Sequence, residues 1–270
     1  MQTDPHAHDI GRHLRAWRRR RRMSQLDLAL EAEISARHLS FVETGRSQPS
    51  REMVLHLCER LEVPLRERNM LLVAAGYAPV FPQRPLEDPV LAPARAAVDL
   101  VLKVHEPYPA LAIDRHWTLV SANRAVAALL AGVAPHLMAP PVNVLRLSLH
   151  PEGLAPRIRN LPEWRTHLLE RLRQQIEITA DRTLAALLEE LCSSPAPISR
   201  TPPPPDRFGG MVVPLELVID SGTLSFFSTT TVFGTPVDVT LSELAIESFF
   251  PADAMTAEAL RRLAEAGRQG

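Results

Sequence analysis

The chain has 270 residues, 46% of them hydrophobic and 23% charged, with a formal net charge of −1 at pH 7. That length accommodates two domains of ordinary size, and that apolar content supplies real cores, which excludes wholesale disorder. No run approaches the ~20 apolar residues needed to cross a bilayer, the first residues lack the apolar centre of a signal peptide, and two cysteines make no disulfide framework. The expectation is a cytoplasmic protein without membrane insertion, with Cys58 and Cys192 as two buried thiols.

The small net charge hides an asymmetry. Residues 1–76 hold 13 Arg against 10 Asp and Glu, whereas the remainder holds 17 basic and 21 acidic residues. "WRRRRR" (17–22) concentrates the surplus, although such a run by itself also reads as a solvated helix end.

In chain order, Ile10, Leu14 and Trp17 recur at i, i+4 and i+7 and predict a first helix, closed by Met23. "SQLD" (24–27) matches a capping box opening a second helix, with Leu28, Ala29 and Ala32 inward. Ser35 is placed to cap a third helix that buries Leu39 and Val42 beside Ile34. Its other face carries Ala36, Arg37, Ser40 and Phe41, and Gly45 ends it in a left-handed conformation. "PS" (49–50) starts a fourth helix with Met53, Leu57 and Leu61, and Pro64 is placed at the first position of a fifth.

Two short helices joined by a tight turn inside a five-helix bundle describe a helix-turn-helix module. With "SQLDLA", "ISARHLSFVETG" and "RSQPS", residues 10–76 resemble the Xre/Cro family of phage-repressor-like DNA-binding domains. The resemblance implies a double-stranded DNA operator as partner. It implies that Gln25 contacts a phosphate and braces the third helix, that Ala36, Arg37 and Phe41 read base edges, and that Ser35 and Ser40 complete the DNA-facing set. Arg37 is the strongest specificity residue on physical grounds, because a guanidinium can donate twice to O6 and N7 of guanine. Arg46 is better placed for a phosphate, as is part of the arginine run. Glu33 departs from the family, which usually has Gly at that turn. Because a lone module reads few base pairs, a homodimer on a two-fold operator is expected.

Residues 77–93 hold five prolines and read as a semi-rigid connector. "ARAAVDLVLKVH" predicts a helix, and "YPALAIDRHWTLVSAN" a hairpin with strands at about 110–114 and 117–121. "RAVAALLAG", "VNVLRLSLHP" and two segments meeting near Thr179 predict further helices. "SSPAPISRTPPPPDRFGG" (193–210) reads as a surface crossing, its four prolines being a polyproline ligand only in the less favoured alternative. Strands follow at "MVVPLELVI", with Met211, Val213, Leu215, Leu217 and Ile219 alternating, at "TLSFFSTTTVF", and at "LSELAIESFFP". The expected fold is therefore an α five-helix bundle followed by an α+β, PAS-like domain: a five-stranded antiparallel sheet with inserted helices. The expected domains are 1–76, a connector 77–93, and 94–270.

"ALAIDRHWTLVSAN", "NVLRLSLHPEG", "LPEWRTHLLERLR" and "ELAIESFFPAD" behind such a module resemble the MmyB-like family of transcriptional regulators. The resemblance implies a pocket between sheet and helices for an apolar small molecule, with long-chain fatty acids the best candidate class. Trp117, Phe226, Phe227, Ile246, Phe249 and Phe250 would supply its sheet side, and Leu145, Leu147 and Leu149 its helix side, unless they are ordinary core. An acid head would need an arginine, from Arg146, Arg157, Arg159 or Arg165. No nucleophile elbow, phosphate-binding Gly loop, dinucleotide fingerprint or metal-spaced His and Cys set is present, and "HAH" (6–8) is only a weak metal candidate. The reading is a DNA-binding regulator, not an enzyme, with no cofactor and an apolar effector. The alternative is a second domain that serves as a ligand-free dimerisation or partner platform.

Overall fold

A computed structural model describes residues 5–193, 212–234 and 236–266, with side chains from Ile10 onward. The "HAH" side chains, the four-proline crossing and Met211 lie outside the described residues. Backbone packing divides the chain into a first unit, Met1–Arg84 with Glu177–Ala180 and Pro236–Ser242, and a second, Pro85–Ile176 with Asp181–Thr235 and Glu243–Gly270.

Five helices build the first unit: α1 (Pro5–Arg20), α2 (Gln25–Glu31), α3 (Ala36–Glu43), α4 (Arg51–Arg60) and α5 (Leu65–Ala74). Their starts are chemical. Ser24 and Asp27 form the reciprocal capping box, Ser35 accepts from the His38 amide, and Ser50 accepts from the Met53 amide. Each such cap stabilises by about 1 kcal/mol. Pro64 is the residue before α5 rather than its first: its ψ of 150° is extended, and only its carbonyl joins the helix, accepting from Arg68. Gly45 takes the left-handed conformation at φ 71°, and Glu33 takes it without being glycine, at φ 54°. That costs about 1–2 kcal/mol, and the Ile34 amide, donating to Ala29 at 2.9 Å, helps to hold the turn.

The first core is the one the helical spacing marked, with Ile10, Leu14, Trp17, Leu28, Leu39 and Leu57 buried. Two features fix α3 within it. A Cβ on Gly11 would lie 2.6 Å from the Val42 carbonyl oxygen and 2.7 Å from that of Glu43, so α1 meets the α3 backbone directly. The Glu43 side chain, fully buried, accepts from Arg18 Nε at 2.6 Å and Nη2 at 2.9 Å and from Gln25 Nε2 at 2.8 Å, with Arg15 Nε 3.4 Å away. Burial alone would raise the Glu43 pKa, but the hydrogen bonds from Arg18 and Gln25 and the charges of Arg18 and Arg15 outweigh it, so the carboxyl titrates below its ordinary value. The start of the Pro-rich stretch is also pinned. Asn69 accepts from the Val80 and Phe81 amides and donates to the Phe81 carbonyl, and Tyr77 donates its hydroxyl to Pro49.

The remaining elements are α6 (Ala92–Val104), β1 (Ala110–Ile113), β2 (Leu119–Ala122), α7 (Arg124–Leu129), α8 (Val144–Leu149), α9 (Leu161–Thr179), α10 (Arg182–Ser193), β3 (Leu215–Ile219), β4 (Gly222–Val232), α11 (Val239–Ser242), β5 (Ala245–Pro251) and α12 (Ala254–Ala266). The five strands form an antiparallel sheet in the order β2-β1-β5-β4-β3, with the helices inserted between hairpin and meander, as the PAS-like reading expects. β3 begins at Leu215 rather than Met211, consistent with Pro214 having no N–H for the ladder.

Strand alternation sorts the side chains onto two faces. One face carries Leu215, Leu217, Leu224 and Phe226 and packs with α8, α9 and α10 into the main core of the second unit. On the other, Ile246 joins Ala110 and Ala112 beneath Val98 and Leu102 of α6, and Phe227 stacks on Phe250 at 5.2 Å. Of the two thiols, Cys58 is buried, and burial pushes its pKa up to about 12. Cys192, in contrast, is exposed, one residue beyond the buried Leu184, Leu187 and Leu191 stripe of α10.

Gly11→Ala is expected to cost about 1–3 kcal/mol by overpacking α1 against α3, read as a lower urea midpoint. Glu43→Gln is expected to cost about 3–5 kcal/mol at pH 7, because Arg18 loses its buried partner. A depressed folded pKa gives stability that is present above the unfolded value, about 4.3 for Glu, and lost as pH falls through the folded one. The stability gap between wild type and Glu43→Gln should therefore shrink when thermal unfolding is followed from pH 7 to pH 3. A gap independent of pH would remove Glu43 from this role.

Candidate DNA-reading face and ligand pocket

On α3 the buried Leu39 and Val42 leave Arg37 exposed and Ser40 and Phe41 half-buried on the opposite side. Two guanidiniums pack on the Phe41 ring, with Arg37 5.4 Å and Arg46 5.9 Å from its centre. Neither arginine makes an ion pair among the described residues, so both charges face outward. This clamp was not anticipated, although the i, i+4 spacing of Arg37 and Phe41 and the reversal at Gly45 are its signals. The Ser35 hydroxyl is occupied as the α3 cap, and Ala36 packs against the core. Gln25 braces α3 through Glu43.

The arginine run divides by task. Arg18 is inside, on Glu43 and the Met23 carbonyl, and Arg21 donates to the Leu61 and Glu62 carbonyls at the end of α4. Arg19, Arg20 and Arg22 are exposed.

In the second unit a cavity of about 100 Å³ lies between the inner sheet face and α7, α8 and α9. Trp117, Leu145, Leu147, Phe226 and Phe249 are among its lining residues. Leu149 belongs to the same core but lies outside the lining, and Ile246, Phe227 and Phe250 lie on the other sheet face. The four candidate arginines are all engaged elsewhere. Arg146 pairs with Glu190 at 2.7 Å on the surface, and Arg159 faces Glu216 at 3.9 Å. Arg157 donates to the Leu129 and Ala131 carbonyls, and Arg165 to the Leu191 carbonyl.

The charged edge of the cavity is instead Arg171 and Glu247. Arg171 Nη2 donates to Glu247 Oε1 at 2.6 Å and to Thr230 Oγ1 at 2.9 Å, while Nη1 reaches Glu247 Oε2 at 3.2 Å. Thr230 in turn donates to Glu247 Oε1 at 2.8 Å. The guanidinium carbon of Arg171 lies over the Trp117 ring, 4.9 Å from its centre. Burial, and then the Arg171 charge, lowers the pKa of nearby His167.

Trp117 does not lie on a strand. It occupies the turn before β2 at φ 64°, a conformation that a bulky residue adopts only under constraint. The constraint is local. Asp114 Oδ1 accepts from the His116 and Thr118 amides, each at 2.8 Å, the Trp117 carbonyl accepts from Val144, and the indole donates to Gln175 at 2.7 Å. Among the described residues, His136, His150 and Glu152 bring possible metal-ligating atoms within 4.8 Å of one another. His150 Nδ1 already accepts the Glu152 amide at 3.1 Å. Ligation at Nδ1 would break that bond, and ligation at Nε2 would remove the ring's proton.

Residues 94–263 match the family described as MmyB-like transcription regulator ligand binding domain, and residues 9–71 match a helix-turn-helix domain. No curated protein matches. Among solved structures, the clp gene regulator ClgR from Corynebacterium glutamicum is 25% identical over 27% of this chain and 91% of its own, with a TM-score of 0.24. A second ClgR structure is 22% identical over 39% and 99%, with a TM-score of 0.25. An RNA-binding light-oxygen-voltage receptor is 14% identical over 97% of this chain and 64% of its own, with a TM-score of 0.26. The chain belongs to the MmyB-like transcription regulators, with a helix-turn-helix DNA-binding domain followed by the ligand-binding domain of that family.

Proposed function

We propose that the protein is a sequence-specific, homodimeric regulator whose affinity for its operator is set by a small apolar ligand, with the long-chain fatty acids as the candidate class. Residues 1–76 form the reading head, 77–93 connect, and 94–270 take the ligand. Arg37 reads a guanine, Ala36 and Phe41 offer apolar contact to bases, Ser35 and Ser40 flank them, and Gln25 and Arg46 hold phosphates.

The observation that carries this reading is the apolar cavity in the ligand-binding domain, lined by Trp117, Leu145 and Phe226 among others. Its volume of about 100 Å³ is well below the ~300–1,000 Å³ typical of ligand pockets. A long chain would therefore have to part some of the side chains that line the cavity to fill it. Binding and conformational change become one event, which is what a ligand needs in order to shift a population. The alternative, a ligand-free dimerisation or partner platform, is favoured by the exposed Leu100, Val101 and Val104 of α6.

Arg37→Ala should cost about 1–3 kcal/mol at the specific site and relax preference at one base pair, measured by fluorescence anisotropy on an operator selected from random DNA. Unchanged sequence selection would remove Arg37 from base reading. In the same assay, C12 to C18 fatty acids should change wild-type affinity by about tenfold, or ~1.4 kcal/mol of coupling. DNA binding that no lipid alters would favour the platform.

A further inference from the structure

Helix α6 is apolar on two opposite sides. Val98 and Leu102 are buried over Ala110, Ala112 and Ile246 of the sheet, whereas Leu100, Val101 and Val104 are 60%, 43% and 73% exposed. Pro93 and Ala97 are exposed as well, so Pro93, Ala97, Leu100 and Val104 follow one another along the outer side at steps of four, three and four residues. The outer side of a helix that packs on a sheet is ordinarily polar, and steps of three and four are those by which one helix seats its side chains against another. The charges of α6 lie along one flank. Arg95 is engaged by the Leu86 carbonyl, while Asp99 and Lys103 are exposed and make no ion pair among the described residues.

We infer that the outer side of α6 is where two copies of this chain meet, the helices packing antiparallel about a two-fold axis beside Leu100. This rests on the homodimer of the reading above and holds with or without a ligand in the second domain. A two-fold contact is self-complementary, each residue meeting its opposite number twice. With the axis at Leu100, Ala97 comes opposite the partner's Val104, so small meets large along the seam. At the rim, the long stem of Lys103 reaches toward the partner's Asp99, and a copy of this helix thus supplies both signs of charge that the flank calls for. A parallel pair would set Asp99 beside the partner's Asp99 and Lys103 beside the partner's Lys103, and alanine against alanine. An apolar centre with charge at its edge is also the composition of association surfaces.

The test is sedimentation equilibrium of the full-length protein at neutral pH and low salt. Wild type should be dimeric. Leu100→Glu, which places a charge at the centre of the seam from a position already exposed, should be monomeric. Asp99→Lys and Lys103→Asp should each weaken the dimer about tenfold, because each sets like charges opposite one another twice, and the two together should restore it. All three positions are exposed, so the variants keep the fold, checked by circular dichroism. A Leu100→Glu protein that dimerises as wild type does overturns the inference and leaves the homodimer to another surface. Charge variants without effect, or a double variant that does not recover, overturn the antiparallel pairing and the inference with it. A monomeric wild type overturns the homodimer reading and this inference together.

Discussion

The Glu43 carboxylate joins three helices, since α3 carries it while Arg15 and Arg18 of α1 and Gln25 of α2 converge on it. A buried carboxylate is tolerable only with such partners, because the desolvation cost is several kcal/mol when they are absent. Turning α3 by one residue would lose all of them together, so the network sets the rotation of the helix as well as its attachment. An eight-residue helix is too short to hold itself in water. The direction in which Arg37 points is thus decided by α1 and α2, and the glycine contact at Gly11 sets how close α1 stands.

The ligand-binding domain uses the same chemistry to another end. Glu247 is also buried and also held by a guanidinium, but its partner borders a cavity instead of a packed helix. In the first unit the carboxylate gathers donors from two further helices, and its guanidinium is spent on architecture, reaching the Met23 carbonyl as well. In the second unit the guanidinium still has donors to give. What lies beyond the pair differs: packed helices in the first unit, a cavity in the second.

Much of this was legible in the chain because it is local. Caps, the α1 stripe and the strand alternation depend on residues three, four or two apart, and the structure has them where the spacing placed them, apart from Pro64, which precedes α5, and β3, which starts at Leu215. The pocket was less legible because it depends on which sheet face a strand residue takes. Ile246 and Phe250 alternate with Glu247 and Phe249, so grouping them by hydrophobicity mixed two faces. The candidate arginines were chosen by nearness in sequence to α8, yet surface carbonyls and acids engage them. Arg171 had a readable signal: Trp164, Leu168, Arg171 and Gln175 fall at i, i+4, i+7 and i+11, which puts a charge on the inward stripe of α9. Trp117 had none, since its left-handed turn is imposed by Asp114 and Val144 against the residue's own preference.

The clamp at Phe41 adds a constraint on recognition. A long guanidinium side chain gives up roughly 2 kcal/mol of rotamer freedom when it is fixed. Arg37 is already restrained by the Phe41 ring, so part of that loss occurs on folding rather than on binding DNA. Arg46 rests on the same ring. In the proposed reading one guanidinium meets a base and the other a phosphate, and their common support makes the two contacts interdependent. Removing the ring would loosen both at once, so its effect would not equal the sum of the two arginine deletions. In that reading, specificity and positioning, often assigned to separate residues, share one aromatic side chain.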